Sequence, residues 1–200
     1  MAPRTHWTRR IVSRACGSSA GFLTDKSRRA IRMTLRVYDT RTREKREFSP
    51  LNEGRVSMYV CGITPYSPSH LGHARCYLAF DLVHRWLEVS GYEVDYVQNF
   101  TDIDDKILNI SDSEGVDFSV VSNRNIDDYF EVMDAMNVLR ADHYPRVTET
   151  ISEIIDMISK LQEKGHAYVG GDGVYFEIDT APEKYGQLTG QSLEMVRAGA

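Results

Sequence analysis

The chain has 200 residues, of which 42% are apolar and 26% are charged, with a net charge of −5. These proportions are typical of a globular protein with a sizeable core. No run approaches the ~18 consecutive apolar residues that cross a membrane, so we do not expect this chain to be an integral membrane protein. The three cysteines, Cys16, Cys61 and Cys76, form no closely spaced even set and predict a reducing compartment.

The first 32 residues differ in charge from the rest. They hold eight of the 24 Lys and Arg residues and one acidic residue, Asp25, which leaves 16 basic and 28 acidic residues for the remainder. An Arg- and Ser-rich segment of this kind is typical of a mitochondrial or plastid transit peptide. The alternatives are a disordered extension or a start codon set too early, since Met33 opens "MTLRVYDT". We expect the protein in the cytoplasm, or in the mitochondrion or a plastid if the segment is a transit peptide. We predict a basic extension over 1–32 and a domain over 33–200.

The remainder is acidic, which is poor evidence for a broad nucleic-acid footprint, because phosphate binding needs local Lys and Arg. Any basic surface must therefore be small or lie outside this chain. The elements expected in its first half, in chain order, are two short strands within 35–50, a strand over 55–61, a Pro- and Ser-rich loop over 64–69, a helix over 72–90 that Gly91 ends, and a strand over 92–99. Strand, helix and strand within so short a segment predict a βαβ unit with parallel strands, hence an α/β fold.

After the second strand the chain turns helical. Thr101 is a plausible N-cap of the first helix. Two further helices are expected near 117–137 and 147–164, followed by a hairpin over 166–178 that turns at its glycines. The sequence runs on without a natural stop, so we expect a fragment of a longer protein.

Two histidines stand at the start of the first long helix, in "HLGHAR". Ligands of open α/β sheets bind at the carboxyl ends of the strands, and a helix N-terminus there is a seat for phosphate. His70 and His73 can face one ligand, and Gly72 permits close approach. Such a pair suits stabilisation of charge on a transferring phosphoryl group, although surface or structural histidines are the alternative. Cys61, at the end of the preceding strand, is either a metal ligand or a small buried apolar residue.

The acidic stretch "DIDDK" admits two interpretations. Asp102, Asp104 and Asp105 could hold magnesium, or they could stabilise the dipole of the helix that begins there. Alternate residues point to different faces, so we favour the second interpretation.

The segments "MYVCGITPY", "HLGHAR", "GYEVDYVQNFTDIDDKI", "KGHAYVGGDGVYFEI" and "YGQLTGQSLEMVRAGA" resemble, in order and spacing, the catalytic half of the cysteinyl-tRNA synthetase family. "HLGH" is similar to the HIGH signature of class I aminoacyl-tRNA synthetases. The resemblance runs from about Leu35 to Ala200. It implies a Rossmann-like class I catalytic domain with a parallel sheet, truncated within or near the connective insertion.

The resemblance also implies roles for individual residues. His70, Gly72 and His73 match the positions that bind ATP, taken with Mg²⁺. The positions that hold the amino acid or its adenylate are matched by Cys61, Gly62, Ile63, Thr64, Asn99 and Thr101. Cys61 also matches the first ligand of a zinc ion that binds the substrate thiolate, and Zn²⁺ prefers a thiolate to a serine hydroxyl. The remaining zinc ligands and the KMSKS signature would lie beyond residue 200.

The function implied is activation of L-cysteine by ATP and its transfer to tRNA(Cys), by a protein expected to be a monomer. Two alternatives stay open. One is the related cysteine ligase of mycothiol synthesis, although Arg75 and Lys106 depart from its pattern. The other is a truncated module that binds nucleotide without catalysis, since the KMSKS signature falls outside the chain.

Overall fold

The structure is a computed structural model that describes residues 35–192 and 194–195. The predicted basic extension and its boundary with the domain lie outside the described residues. None of the helices within the described part of the chain is both long and apolar enough to cross a membrane.

The strands and helices follow the predicted order. The strands are β1 (Arg36–Asp39), β2 (Glu44–Glu47), β3 (Arg55–Val60), β4 (Glu93–Gln98), β5 (Ala167–Val169) and β6 (Val174–Phe176); the helices are α1 (Leu71–Val89), α2 (Asp105–Glu114), α3 (Phe118–Ala135) and α4 (Ile151–Glu163). One 3-10 turn, Val147–Glu149, precedes α4, and another, Ile178–Thr180, follows β6. Both predicted hairpins are confirmed, because β1 pairs antiparallel with β2 and β5 with β6.

The predicted βαβ unit is confirmed. β3 and β4 pair in parallel, with Val56 opposite Val94 and Val60 opposite Gln98, and α1 connects them. In β3 the side chains of Val56 and Val60 are buried, whereas the alternate residue Tyr59 is exposed. This period of two is what a strand with one covered face requires.

A further segment lies beside β4. The Gln98 N–H donates to the carbonyl of His143 at 3.0 Å, and the Phe100 N–H donates to the carbonyl of Pro145 at 2.9 Å. The chain that follows α3 therefore runs parallel to β4 and satisfies its second edge. Within residues 35–192, β3 pairs with β4 on one edge and has no strand partner on the other.

The core lies beneath the carboxyl ends of these strands. Tyr129 of α3 packs edge-on against Tyr77 of α1, with ring centroids 5.3 Å apart, and against Phe100, at 5.5 Å. The cluster also holds Val60 and Ile63. Full burial of a side chain such as Phe stabilises by roughly 1.5–3 kcal/mol. Because Ile63 and Phe100 belong to the segments that leave β3 and β4, the core fixes both strand ends.

The predicted start of the first helix after β4 is wrong. The side chain of Asp104, rather than that of Thr101, caps α2, accepting from the Lys106 N–H at 2.9 Å. At Thr101 the chain is still paired with the segment after β3, because the Thr101 N–H donates to the carbonyl of Ile63 at 3.0 Å. The strand-like pairing therefore continues past β4 before the helix begins.

Candidate active site at the strand ends

The segments that follow β3 and β4 meet side by side. The Gly62 N–H donates to Asn99 Oδ1 at 2.8 Å, and the Thr101 N–H donates to the carbonyl of Ile63 at 3.0 Å. A Cβ atom on Gly62 would lie 1.5 Å from the carbonyl oxygen of Asn99, so only glycine permits this approach. The structure thus brings together four of the six residues that the resemblance assigned to amino-acid binding.

Asn99 organises this edge of the sheet. Besides accepting from Gly62, its Oδ1 accepts from the Tyr59 hydroxyl at 2.9 Å, and its Nδ2 donates to Thr101 Oγ1 at 3.5 Å. Tyr59 was not predicted from the sequence as a site residue. It could have been noticed as an aromatic residue on the exposed face of β3, two positions before Cys61.

Cys61 is exposed, so the alternative that it is a buried apolar residue is wrong. Its backbone is held by the Tyr77 hydroxyl, which donates to the Cys61 carbonyl at 3.3 Å. The next turn places Thr64, whose carbonyl accepts from the Tyr66 N–H at 2.9 Å. The thiol therefore projects from a fixed strand end.

Zinc requires several ligands, typically four in a closed site. Within the described residues, no group of three or more His, Cys, Asp and Glu side chains lies close enough to hold a metal ion. These residues supply the Cys61 thiol and do not form a zinc site by themselves.

The two histidines lie against each other at the start of α1. Their rings are stacked, with centroids 3.8 Å apart and planes inclined by 18°. His70 Nδ1 accepts from the Gly72 N–H at 3.1 Å, and the His70 N–H donates to His73 Nδ1 at 3.4 Å. A Cβ atom on Gly72 would lie 2.8 Å from His70 Cε1. The glycine therefore makes room for the imidazole of His70.

These hydrogen bonds determine which ring atoms are available. In each neutral imidazole Nδ1 accepts, so the proton is on Nε2, which is free to donate. Burial, and then the charge of His70, lower the pKa of His73 below its usual value. The first turn of α1 contains no acidic residue to offset the positive end of its dipole, and its Gly72 and His73 N–H groups are themselves bonded to His70. The arrangement offers N–H donors to an anion.

The loop that leads to the histidines is anchored by α3. Asn125 Nδ2 donates to the carbonyl of Pro65 at 3.1 Å, and the Ser69 N–H donates to Asp128 Oδ2 at 2.6 Å. Neither α3 residue was predicted from the sequence, because both lie about 60 positions from their partners. Asn125 could have been noticed as a polar residue within the helical stripe of α3 that faces the core.

The acidic stretch behaves largely as expected. Asp104 caps α2 and Asp105 lies in its first turn, as the dipole interpretation predicts. Asp102 differs, because it is buried and accepts from the N–H and hydroxyl of Thr148, at 3.1 and 2.6 Å. It connects the end of β4 to the segment before α4.

A cleft of about 490 Å³ lies between α2, α3 and the loop after β3. Its lining includes Tyr66 and Asp128 but neither the histidines nor the strand-end residues. We place the candidate site at the strand ends because the convergent donors lie there, and not in the cleft.

Comparison with known proteins finds close relatives of this chain. A cysteine–tRNA ligase of Pyrococcus horikoshii is 54% identical over 168 residues, which is 84% of this chain and 35% of that protein. One of Dehalococcoides mccartyi is 46% identical over 166 residues, or 83% of this chain and 36% of that protein. The chain spans about a third of the length of these relatives.

A solved structure shows a likeness of fold. The methionyl-tRNA synthetase of Mycobacterium tuberculosis, solved with methionyl-adenylate, superposes with a TM-score of 0.50 and 22% identity, covering 56% of this chain and 23% of that one. A family model described as the class I (C) tRNA synthetase catalytic domain matches residues 47–200. The chain therefore belongs to the class I (C) tRNA synthetase catalytic domain family and has its Rossmann-like α/β fold.

Proposed function

We propose that this chain is the N-terminal part of the catalytic domain of a cysteine–tRNA ligase, which activates L-cysteine with ATP and transfers it to tRNA(Cys). One observation carries the proposal. The segments after β3 and β4 are hydrogen-bonded to each other, and the histidine pair lies at the start of α1, the helix between these strands, in a chain about half identical to proteins named cysteine–tRNA ligase.

In the activation step a carboxylate oxygen of cysteine attacks the α-phosphorus of ATP. The new bond joins that oxygen to the α-phosphorus, and the bond from the α-phosphorus to the oxygen bridging to the β-phosphate breaks, so that pyrophosphate leaves with its electrons. No side-chain nucleophile is needed, so the protein contributes by positioning and by stabilising charge. We assign His70 and His73 the second task, because their Nε2–H groups can donate to phosphate oxygens at the positive end of α1. Gly72, which makes room for the His70 ring, is proposed to complete this part of the site for ATP, which binds with Mg²⁺.

The strand-end residues are proposed to hold the amino acid. Gly62, Ile63, Asn99 and Thr101 are linked by hydrogen bonds, and Cys61 and Thr64 flank this set in the segment after β3. We propose that Cys61 supplies one thiolate ligand to zinc, with the remaining ligands from outside the described residues. When bound, zinc selects a thiolate substrate over a hydroxyl one.

The partners proposed are those that the reaction requires, namely ATP, L-cysteine and tRNA(Cys), for a protein that acts as a monomer. A cytoplasmic location is proposed, with the mitochondrion or a plastid as the alternative if the basic N-terminal segment is a transit peptide.

The test is ATP–pyrophosphate exchange by the full-length protein, meaning this chain with whatever precedes and follows it in its gene. We expect exchange that depends on cysteine, with serine as the matched control substrate, followed by charging of tRNA(Cys). Exchange that proceeds with cysteine but charges an amino sugar instead of tRNA would favour the mycothiol-type ligase. Absence of cysteine-dependent exchange would contradict both and leave a nucleotide-binding module.

A further inference from the structure

We propose that Asp128 and Asn125 of α3 are positioning residues for the His70–His73 pair. The role rests on the proposed function, because it concerns the reaction that the histidines assist. Neither residue touches the strand-end site, so each would act through the loop over residues 64–70, here called the histidine loop.

The first contact is at the end of the histidine loop. The Ser69 N–H donates to Asp128 Oδ2 at 2.6 Å, and the next residue, His70, is the N-cap of α1. The bond to a carboxylate is charge-assisted and therefore stronger than one between neutral groups. It fixes the direction in which the chain enters α1, and with it the ring that stacks on His73.

The second contact is at the beginning of the same loop. Asn125 is buried, and its Nδ2 donates both to the carbonyl of Pro65 and to the carbonyl of Val121, at 3.1 and 2.9 Å. Pro65 is itself completely buried. The histidine loop is thus held at both ends by side chains one helical turn apart on α3.

α3 is a firm support for these contacts. Tyr129, next to Asp128, is buried in the core, and its hydroxyl accepts from Gln98 Nε2 at 2.7 Å. Arg124, next to Asn125, forms two hydrogen bonds of 2.6 Å with the carboxylate of Glu114 on α2. Because α3 is fixed on both sides, its two polar side chains can set the position of the loop.

The contact depends on the acceptor at residue 128, and not on the side chain of Ser69. The Ser69 hydroxyl is buried and has no hydrogen-bond partner within the described residues. Removal of the Asp128 carboxylate leaves the Ser69 N–H unpaired and releases the entry to α1. A misplacement of about 1 Å in a reacting arrangement can cost ~10²-fold in rate.

The test compares three variants of the full-length protein. Asp128→Ala removes the acceptor. Asp128→Asn keeps an amide oxygen that can accept from the Ser69 N–H. Asp127→Ala is the matched control, because Asp127 is the neighbouring carboxylate on α3 and is exposed. Two quantities are measured: the kcat and KM of cysteine-dependent ATP–pyrophosphate exchange, and the ¹⁵N chemical shifts of the His70 and His73 rings.

We expect Asp128→Ala to lower kcat by roughly 10–100-fold while the KM for cysteine changes by less than about threefold, because the histidines move and the strand ends do not. The ring ¹⁵N shifts of both histidines should change with it. Asp128→Asn should restore most of the rate and the shifts, and Asp127→Ala should match the wild type in both.

The two proposals fail in different ways. Wild-type protein that shows no cysteine-dependent exchange contradicts the proposed function, and the ¹⁵N shifts then decide the inference alone. Asp128→Ala with wild-type ring shifts overturns the inference, whether or not exchange is seen. An equal loss of rate in all three variants would also overturn the inference, because the acceptor at residue 128 would then have no special role.

Discussion

The histidine loop and the β5–β6 hairpin are held differently. Both contain tyrosine, and both overlap segments that resemble the same family. The histidine loop has a buried proline and is bonded to α3 at both ends. In the hairpin Tyr168 stacks on Tyr175, Tyr175 bonds to Asp172, and Val169 is 71% exposed.

Resemblance to a family motif therefore does not determine how a segment is held in the fold. The hairpin is stabilised by contacts close in sequence, whereas the histidine loop depends on partners about 60 residues away. Only contacts of the second kind can fix several segments around one ligand. Matched changes at the histidine pair or the strand ends and in the hairpin should therefore differ in their effects.

The largest effect is expected at the histidine pair. His70→Ala or His73→Ala in the full-length protein should lower the kcat of adenylate formation by ~10²–10³-fold, as loss of one oxyanion donor does. Pyrophosphate exchange measures this step. The matched control is His166→Ala at the base of the hairpin, which should leave kcat unchanged.

Transfer of cysteine from pre-formed adenylate to tRNA should suffer much less, since pyrophosphate no longer leaves in that step. His70→Ala should also lower thermal stability, because a lost N-cap costs about 1 kcal/mol. Exchange at the wild-type rate in both variants would show that the histidines are structural caps of α1.

A smaller effect is expected from adding one methyl group. Gly62→Ala places a Cβ atom 1.5 Å from the Asn99 carbonyl oxygen, so the strand ends must separate. We expect the free energy of unfolding to fall by about 1–3 kcal/mol, the usual cost of overpacking. Chemical denaturation measures it.

Gly171→Ala is the matched control, because a Cβ atom there meets nothing within 4 Å. It should change the free energy of unfolding by less than about 0.5 kcal/mol, as exposed substitutions usually do. Equal losses in the two variants would show that the close approach of the strand ends is unimportant.

The smallest effect concerns protonation. Burial and then the charge of His70 lower the pKa of His73, so its NMR titration midpoint should lie below the ordinary value of 6.5. The unfolded chain then binds the proton more readily than the folded one. The stability that His73 contributes is present above about pH 6.5 and is lost as the pH falls toward the folded pKa.

His70→Ala removes the neighbouring charge and should raise the His73 midpoint, although burial keeps it below 6.5. A midpoint above 6.5 in the wild-type protein would contradict this account of the pair.

Much of the arrangement around the site could be predicted from the sequence. The apolar run of β3, the helical spacing after Gly72 and the strand after Gly91 are local signals, and they placed His70, Cys61 and Asn99 at one edge of a parallel sheet. The parallel pairing of β3 with β4 confirmed the βαβ unit. The family resemblance assigned roles that periodicity alone could not.

What the sequence could not show were the long-range contacts. The Thr101 N–H still pairs with the Ile63 carbonyl before α2 begins, and no local preference reveals this bond. The same is true of Asp102, which appeared to belong to a helix start but is buried against Thr148. Such partners become visible only when the chain has folded.

The orientation of the imidazole rings has a consequence for unwanted chemistry. Two histidines three residues apart on one helix ordinarily invite stray transition metals and acylating reagents, both of which need a nitrogen lone pair. In His70 and His73 the lone pair of the neutral ring lies on Nδ1, which faces a backbone N–H of the same turn. To expose it, the ring would have to change tautomer and give up that hydrogen bond. The pair therefore presents protons outward and keeps its reactive electrons turned toward the helix.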